Sequence, residues 1–171
     1  MKRLTAALGS AVFFIVAPCV VAGVVPWLLT GWEFGPPWPA PVLIAVIGVL
    51  ITVAGAAVLV NAFVRFAWEG RGTPAPVAPT EELVITGPYR WVRNPMYLAV
   101  VAAIIGQALL LRQVSLLIYA AVVAAAFLTF VKLYEERVLF ERYGEAYRRY
   151  RSTVPGWIPR PRRWRLRRRE E

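Results

Sequence analysis

Twelve residues of this chain, Thr86 to Tyr97 (TGPYRWVRNPMY), gather two arginines, three aromatic side chains and an asparagine around two prolines. A second polar cluster, Glu135-Glu136, stands some forty residues later, where a long apolar run ends. Such groups can hold a small charged ligand. Guanidinium groups bind anions, a carboxylate accepts hydrogen bonds from hydroxyl or ammonium groups, and aromatic faces attract cations. Pro88 and Pro95 keep the segment extended or turned until a helix starts near Pro95, whose N-terminus adds free N–H groups that favour anions. On chemistry alone, Arg90 and Arg93 equally suit a loop that anchors on lipid phosphates, and the two glutamates a solvated helix end. Adjacent helical residues point roughly 100° apart, so at most one of the acids is expected to face a shared pocket.

What the chain lacks narrows the chemistry. It contains no histidine, no aspartate and a single cysteine, Cys19, inside the first apolar run. A histidine-centred catalytic triad, a His/Cys zinc site and an intrachain disulfide are all excluded, and no metal partner is expected. Cys19 reads as a small packing residue. The net charge of +10 is uneven, with thirteen of the twenty basic residues at or after Lys132. Because this basic tail follows apolar segments, its expected partner is the anionic membrane surface rather than nucleic acid, at roughly 1 kcal/mol per basic residue near the surface.

The elements that must position these groups are membrane helices. The chain has 171 residues, 58% of them hydrophobic, which allows one domain and exceeds the apolar share of soluble proteins. Ala6 to Leu29 runs 24 residues without a charge, too long for a signal-peptide core, and reads as a first span bent at Pro18. Thr30 to Pro41 is a proline- and tryptophan-rich interfacial connector. Val42 to Phe63 forms a second span, in which Gly48 and Gly55 permit close helix approach. The Gly- and Pro-rich stretch to Thr80 excludes a continuing helix. Tyr97 to Leu111 and Val114 to Tyr134 form a short helical hairpin interrupted by Arg112-Gln113. The fold expected is an all-α integral membrane protein of about four transmembrane helices, with a C-terminal amphipathic cytoplasmic helix over Lys132 to Arg151. In that helix Leu139, Tyr143, Ala146, Tyr147 and Tyr150 form one stripe, expected to lie on lipid, and Gly144 weakens it locally. The chain divides into a two-helix membrane region (1–67), a core with the loop, hairpin and C-terminal helix (68–155), and a basic tail (156–171). An inside N-terminus places Lys2, Arg3, Arg65, Arg71, Arg90, Arg93 and the tail in the cytoplasm, and only Arg112 outside.

Read together, the two polar clusters resemble the isoprenylcysteine carboxyl methyltransferase and phospholipid methyltransferase superfamily of integral membrane enzymes. The matching residues are Leu83-Val84, Gly87, Tyr89, Arg93-Asn94-Pro95-Met96-Tyr97, Gly106, Glu135-Glu136, Tyr143 to Tyr147 and Val154-Pro155. The resemblance covers about Glu81 to Pro155. It implies S-adenosylmethionine as cofactor, bound by Glu81, Glu82, Leu83, Val84, Tyr89, Asn94, Pro95, Met96, Tyr97, Glu135 and Glu136. It also implies catalysis by positioning, through Arg93, Tyr97 and Glu135. Two positions depart from better-studied members: Asn94 stands where they have histidine, and Val131 where they place the arginine that addresses a prenylcysteine substrate. Lys132, next to Val131, is the remaining candidate for a substrate contact.

The resemblance thus implies methyl transfer to a lipid-like or prenylated small molecule at the cytoplasmic membrane face, with membrane lipids as partners. The alternatives are an inactive lipid-binding or scaffold homologue and an NADPH-dependent isoprenoid or steroid reductase-like enzyme. A small transporter is disfavoured, because no ionisable residue other than Tyr97, Tyr119 and Cys19 lies within Ala6–Leu29, Val42–Phe63, Tyr97–Leu111 or Val114–Val131.

Overall fold

The computed structural model describes residues 16–68 and 83–159, with the backbone alone at 66–68. The start of the first span at Ala6, the connector from Glu69 to Thr80, Glu81, Glu82 and the tail from Arg160 lie outside the described residues. All regular structure among the described residues is helical. Helix α1 is Val16–Thr30, α2 is Pro41–Trp68, α3 is Pro95–Leu111 and α4 is Val114–Phe130. A π-helical turn, Val131–Glu135, joins α4 without interruption to α5, Glu136–Thr153. Two helical runs are long and apolar enough to cross a membrane, and two more are shorter and apolar. Large apolar side chains such as Leu43, Leu50, Val53, Ile118 and Val122 are exposed. With water outside, these faces would be costly; with lipid outside, they are solvated. The chain is an all-α integral membrane protein.

Helix α1 changes register rather than simply bending at Pro18. Its Val20–Val24 stretch is π-helical, the Val25 N–H reaching the Val20 carbonyl. Pro26 follows and brings no N–H to the return to α-helical register, so the carbonyls of Val21 and Ala22 are bypassed. Side chains from the other helices take them: Tyr119 Oη donates to Val21 O at 2.9 Å, and Gln107 Nε2 to Ala22 O at 2.7 Å. The helix ends at Gly31, in the left-handed conformation that a C-terminal cap requires.

Helix α3 packs chiefly against α2 and, beyond the Arg112-Gln113 turn, also against α4. The expectation for Gly48 and Gly55 holds, and α3 is the helix they admit. A Cβ at Gly48 would lie 2.6 Å from the Gly106 carbonyl oxygen, and one at Gly55 would lie 2.9 Å from that of Ala99. Gly106 is in the same position from the other side, 2.7 Å from Gly48 O and against Thr52 Oγ1. Around this contact Leu59, Phe63, Ala99, Ile104, Leu116 and Val123 form the core.

The C-terminal helix departs from the sequence expectation. Its aromatic stripe faces protein: Tyr147, Tyr150 and Val154 are buried together, with Leu83, Ile85, Leu139, Phe140 and Tyr143 packed on them. Leu83 to Ile85 lead into the polar loop and supply an apolar surface that the stripe covers in place of lipid. The change of direction is at Gly144 (φ 49°, ψ −122°), a conformation open to glycine and strained for other residues. Among the described residues nothing lies within 4 Å of where its Cβ would be, so backbone freedom rather than space explains the glycine.

Candidate functional site

The loop from Thr86 to Asn94 is built on a short 3-10 turn, Gly87–Arg90, entered through Pro88. Tyr89 is buried against Ala62, Val84 and Met96, and its carbonyl accepts a 2.6 Å hydrogen bond from Tyr150 Oη. Burial, reinforced by Tyr150, Glu135 and Tyr97 nearby, holds the Tyr89 phenol well above its ordinary pKa, so it stays a neutral donor. Pro95 occupies the start of α3, as the sequence predicts, and Asn94 precedes it with 8% of its surface exposed.

One turn into α3, Tyr97 meets the acid pair. Its Oη donates to Glu135 Oε2 at 2.7 Å. Arg93 Nη1 donates to Glu136 Oε1 and to Tyr147 Oη, both at 2.9 Å, while Arg151 Nη2 reaches Glu136 Oε2 at 3.1 Å. Both glutamates therefore serve the same five-residue segment, Arg93 to Tyr97, Glu136 at its start and Glu135 at its end. They do so on different sides: Glu136 is enclosed by cations and a phenol, whereas Glu135 has a neutral partner. The π turn that ends at Glu135 sets this splay. Both oxygens of Glu136 are engaged; Glu135 Oε1 is left for a further donor.

The chain then folds back over the segment. The Arg93 N–H donates to Pro155 O at 2.9 Å and the Asn94 N–H to Gly156 O at 3.2 Å. A Cβ at Gly156 would lie 3.2 Å from Arg93 Nη2 and 3.7 Å from Asn94 Nδ2, so this strap sits directly on both side chains. Trp157 and Phe127 flank the Tyr97 ring, with centroids 6.3 and 4.6 Å away. Beneath this cover, Arg93 Nε and Asn94 Nδ2 are buried donors without a hydrogen-bond partner among the described residues.

The sequence-predicted residues Leu83, Val84, Tyr89, Asn94, Pro95, Met96, Tyr97, Glu135 and Glu136 thus gather at one end of the bundle, together with Arg93. Lys132 does not join them. It is exposed, while its neighbour Val131 is buried. Glu81 and Glu82 lie outside the described residues. Sequence reasoning left Arg151, Tyr150 and Trp157 out of the site, and it gave Tyr147 only a packing role and a family match. The spacing of Tyr147, Tyr150 and Arg151 on one helix was the available signal.

A buried Glu–Tyr pair beside unpartnered donors can hold a ligand that carries both hydroxyl or ammonium groups and an anionic or carbonyl acceptor. The sequence profile of one family, phospholipid methyltransferase, matches residues 43–146, more than half of the chain. The chain belongs to the phospholipid methyltransferase family. It thereby falls within the isoprenylcysteine/phospholipid methyltransferase superfamily, whose members are membrane methyltransferases acting on lipid-type substrates. No match was found among curated proteins or among solved structures. The family match spans the Tyr89 loop, the Arg93–Tyr97 segment and the acid pair, and ends at Ala146, short of the strap.

Proposed function

We propose that this phospholipid methyltransferase family member transfers a methyl group from S-adenosylmethionine to a lipophilic acceptor, using the Arg93–Tyr97 and Glu135–Glu136 cluster as its cofactor site. The observation that carries this reading is the Tyr97–Glu135 hydrogen bond with buried, unpartnered Asn94 Nδ2 and Arg93 Nε close by. This donor and acceptor set fits the cofactor. Glu135 Oε1 suits a ribose hydroxyl or the ammonium group, and Asn94 Nδ2 and Arg93 Nε suit its carboxylate or ring nitrogens. Tyr89, Tyr97 and Trp157 offer aromatic faces to a cation, while Leu83, Val84, Pro95 and Met96 supply apolar walls. Glu81 and Glu82 belong to the same proposal through the family resemblance alone.

When bound, S-adenosylmethionine supplies a methyl group activated on a sulfonium centre for in-line displacement. The task of the chain is then positioning, which can contribute up to roughly 7–11 kcal/mol. Glu136 holds Arg93 by charge, Tyr147 Oη accepts a second hydrogen bond from Arg93, and Arg151 fixes the orientation of Glu136. The strap excludes water from Asn94. A carboxylate or thiolate acceptor needs no base; an amine must lose a proton, and the chain has no histidine to take it. The acceptor would approach from the bilayer between helices and the cofactor from the cytoplasm. Arg65, Arg90, Arg93 and Arg151 gather at the cluster's end of the bundle and Arg112 at the other, which favours a cytoplasmic cluster and cytoplasmic termini.

Calorimetry with S-adenosylhomocysteine in nanodiscs tests the cofactor half. Wild type is expected to bind, and Glu135→Ala to lose binding while remaining folded. Absence of binding by wild type in nanodiscs and in several detergents would overturn the proposal. Incubation with radiolabelled cofactor and total lipid extract, followed by mass analysis of the product, identifies the acceptor.

A further inference from the structure

The strap that crosses Arg93 and Asn94 is held differently from the helix that leads into it. Helix α5 is anchored by side chains: Tyr147, Tyr150 and Val154 are buried together, and Tyr150 Oη donates to the Tyr89 carbonyl. Val154 is the last of these anchors, and its N–H still donates to the Tyr150 carbonyl at 2.9 Å. Its backbone is already extended (φ −106°, ψ 125°), so the chain changes direction there. Beyond it Pro155, Gly156 and Trp157 are half-buried, and Ile158 and Pro159 are exposed. The strap is seated by two main-chain hydrogen bonds, from the Arg93 and Asn94 N–H groups to the carbonyls of Pro155 and Gly156, and by the Trp157 ring beside that of Tyr97. A segment with little buried apolar surface and a short ladder belongs to the part of a fold that opens most readily.

What lies beneath the strap sets its balance. Arg93 Nε and Asn94 Nδ2 are buried donors without a hydrogen-bond partner among the described residues. Closing the strap over them removes water and returns no acceptor, which opposes closure. A ligand that brings acceptors to both donors lifts that opposition. We propose that the strap is a lid, hinged at Val154 and latched by Trp157 on Tyr97, whose closure is coupled to occupancy of the site beneath it. The lid rests on the cofactor reading above, in which a carboxylate or ring nitrogens supply the acceptors. A ligand held better by the closed form draws the strap shut, and the shut strap in turn slows its escape. Gly156 lets the lid seat closely: a Cβ there would lie 3.2 Å from Arg93 Nη2 and 3.7 Å from Asn94 Nδ2, so a branched side chain would hold the strap off both.

The test is hydrogen exchange on the full chain in nanodiscs, read by mass spectrometry at the Arg93 and Asn94 amides, which Pro95, lacking an N–H, separates from helix α3. In the ligand-free protein both are expected to exchange about tenfold or more faster than the Tyr150 and Val154 amides of the anchored helix. Saturating S-adenosylhomocysteine is expected to slow them by about tenfold or more and to leave Tyr150 unchanged. Gly156→Val is expected to speed ligand-free exchange at both amides and to make S-adenosylhomocysteine dissociate about tenfold faster without associating more slowly. Should that variant fail to fold, Gly156→Ala is read in the same way, with a smaller effect. Exchange at Arg93 and Asn94 that is as slow as at Tyr150 without ligand, or that is the same with and without bound ligand, would overturn the lid. Absence of S-adenosylhomocysteine binding by wild type would instead overturn the cofactor reading, and the ligand-free arm would still decide whether the strap opens.

Discussion

At the Arg112 end of the bundle, the Thr30–Pro41 connector meets the α3–α4 turn largely through main-chain groups. The Gly35 N–H donates to Leu111 O at 2.8 Å, and Gln113 Nε2 donates to the Glu33 carbonyl at 3.0 Å. Arg112 lies over the Phe34 ring, 5.3 Å from its centroid. At the Arg93 end, side chains bond to side chains across 38 to 54 residues of sequence, through Tyr97–Glu135, Arg93–Glu136 and Arg93–Tyr147. A closure made of main-chain carbonyls is indifferent to most side-chain changes, since every residue has one. A closure made of charged and phenolic groups works for one set of residues only, and each member leaves a buried polar partner behind when removed. The first end holds the helices together; the second carries the proposed cofactor site.

The contrast can be broken at four points. Glu136→Ala leaves Arg93 largely buried with its counter-charge removed, and is expected to lower stability by about 3 kcal/mol. Thermal unfolding in detergent reads this, and restoration of the melting temperature by also replacing Arg93 with Met would attribute the loss to the stranded charge. Gly106→Val forces α2 and α3 apart and is expected to cost about 2 kcal/mol or more. Because that contact lies between the ends, it should lower the melting temperature of wild type and Glu136→Ala alike. Tyr97→Phe removes one hydrogen bond to a carboxylate while keeping the ring against Phe127. It should weaken S-adenosylhomocysteine binding about tenfold and lower stability by about 1 kcal/mol. Gln113→Ala, at the opposite end, is expected to cost about 1 kcal/mol or less and to leave that affinity within twofold of wild type. A large effect of Gln113→Ala on ligand affinity would erase the distinction between the ends.

Features set by local chemistry could be read from the chain without coordinates. The helix start at Pro95, the interruption at Arg112-Gln113, the connector and the close approach at Gly48 and Gly55 depend on residues near one another in sequence. So did the candidate status of Tyr97 and Glu135, each placed at the end of an apolar run and named by the family resemblance. What could not be read depends on the path of the chain after Glu136. The aromatic stripe of α5 has the periodicity of a helix lying on lipid. Only the turn at Gly144 and the apolar surface of Leu83 and Ile85 show that it is covered by protein. The engagement of both glutamates had the same obstacle, because a π turn inserts an extra residue that helical periodicity does not anticipate. Arg90 and Arg93, three apart in one loop, look equivalent as sequence. Only the fold shows that Arg93 has Glu136 as its partner.

The two carbonyls of α1 bypassed at Pro26 have a consequence for how that helix sits. In hydrocarbon, no water replaces a lost donor, and each orphaned carbonyl costs several kcal/mol. Gln107 and Tyr119 are fixed on α3 and α4, so sliding or rotating α1 by one residue would strand Val21 and Ala22 together. An otherwise featureless apolar helix, free to settle at any depth that suits the bilayer, is thereby held at one height. The pair works as a depth stop, and the connector that follows Thr30 meets Leu111 and Gln113 because the helix before it cannot drift.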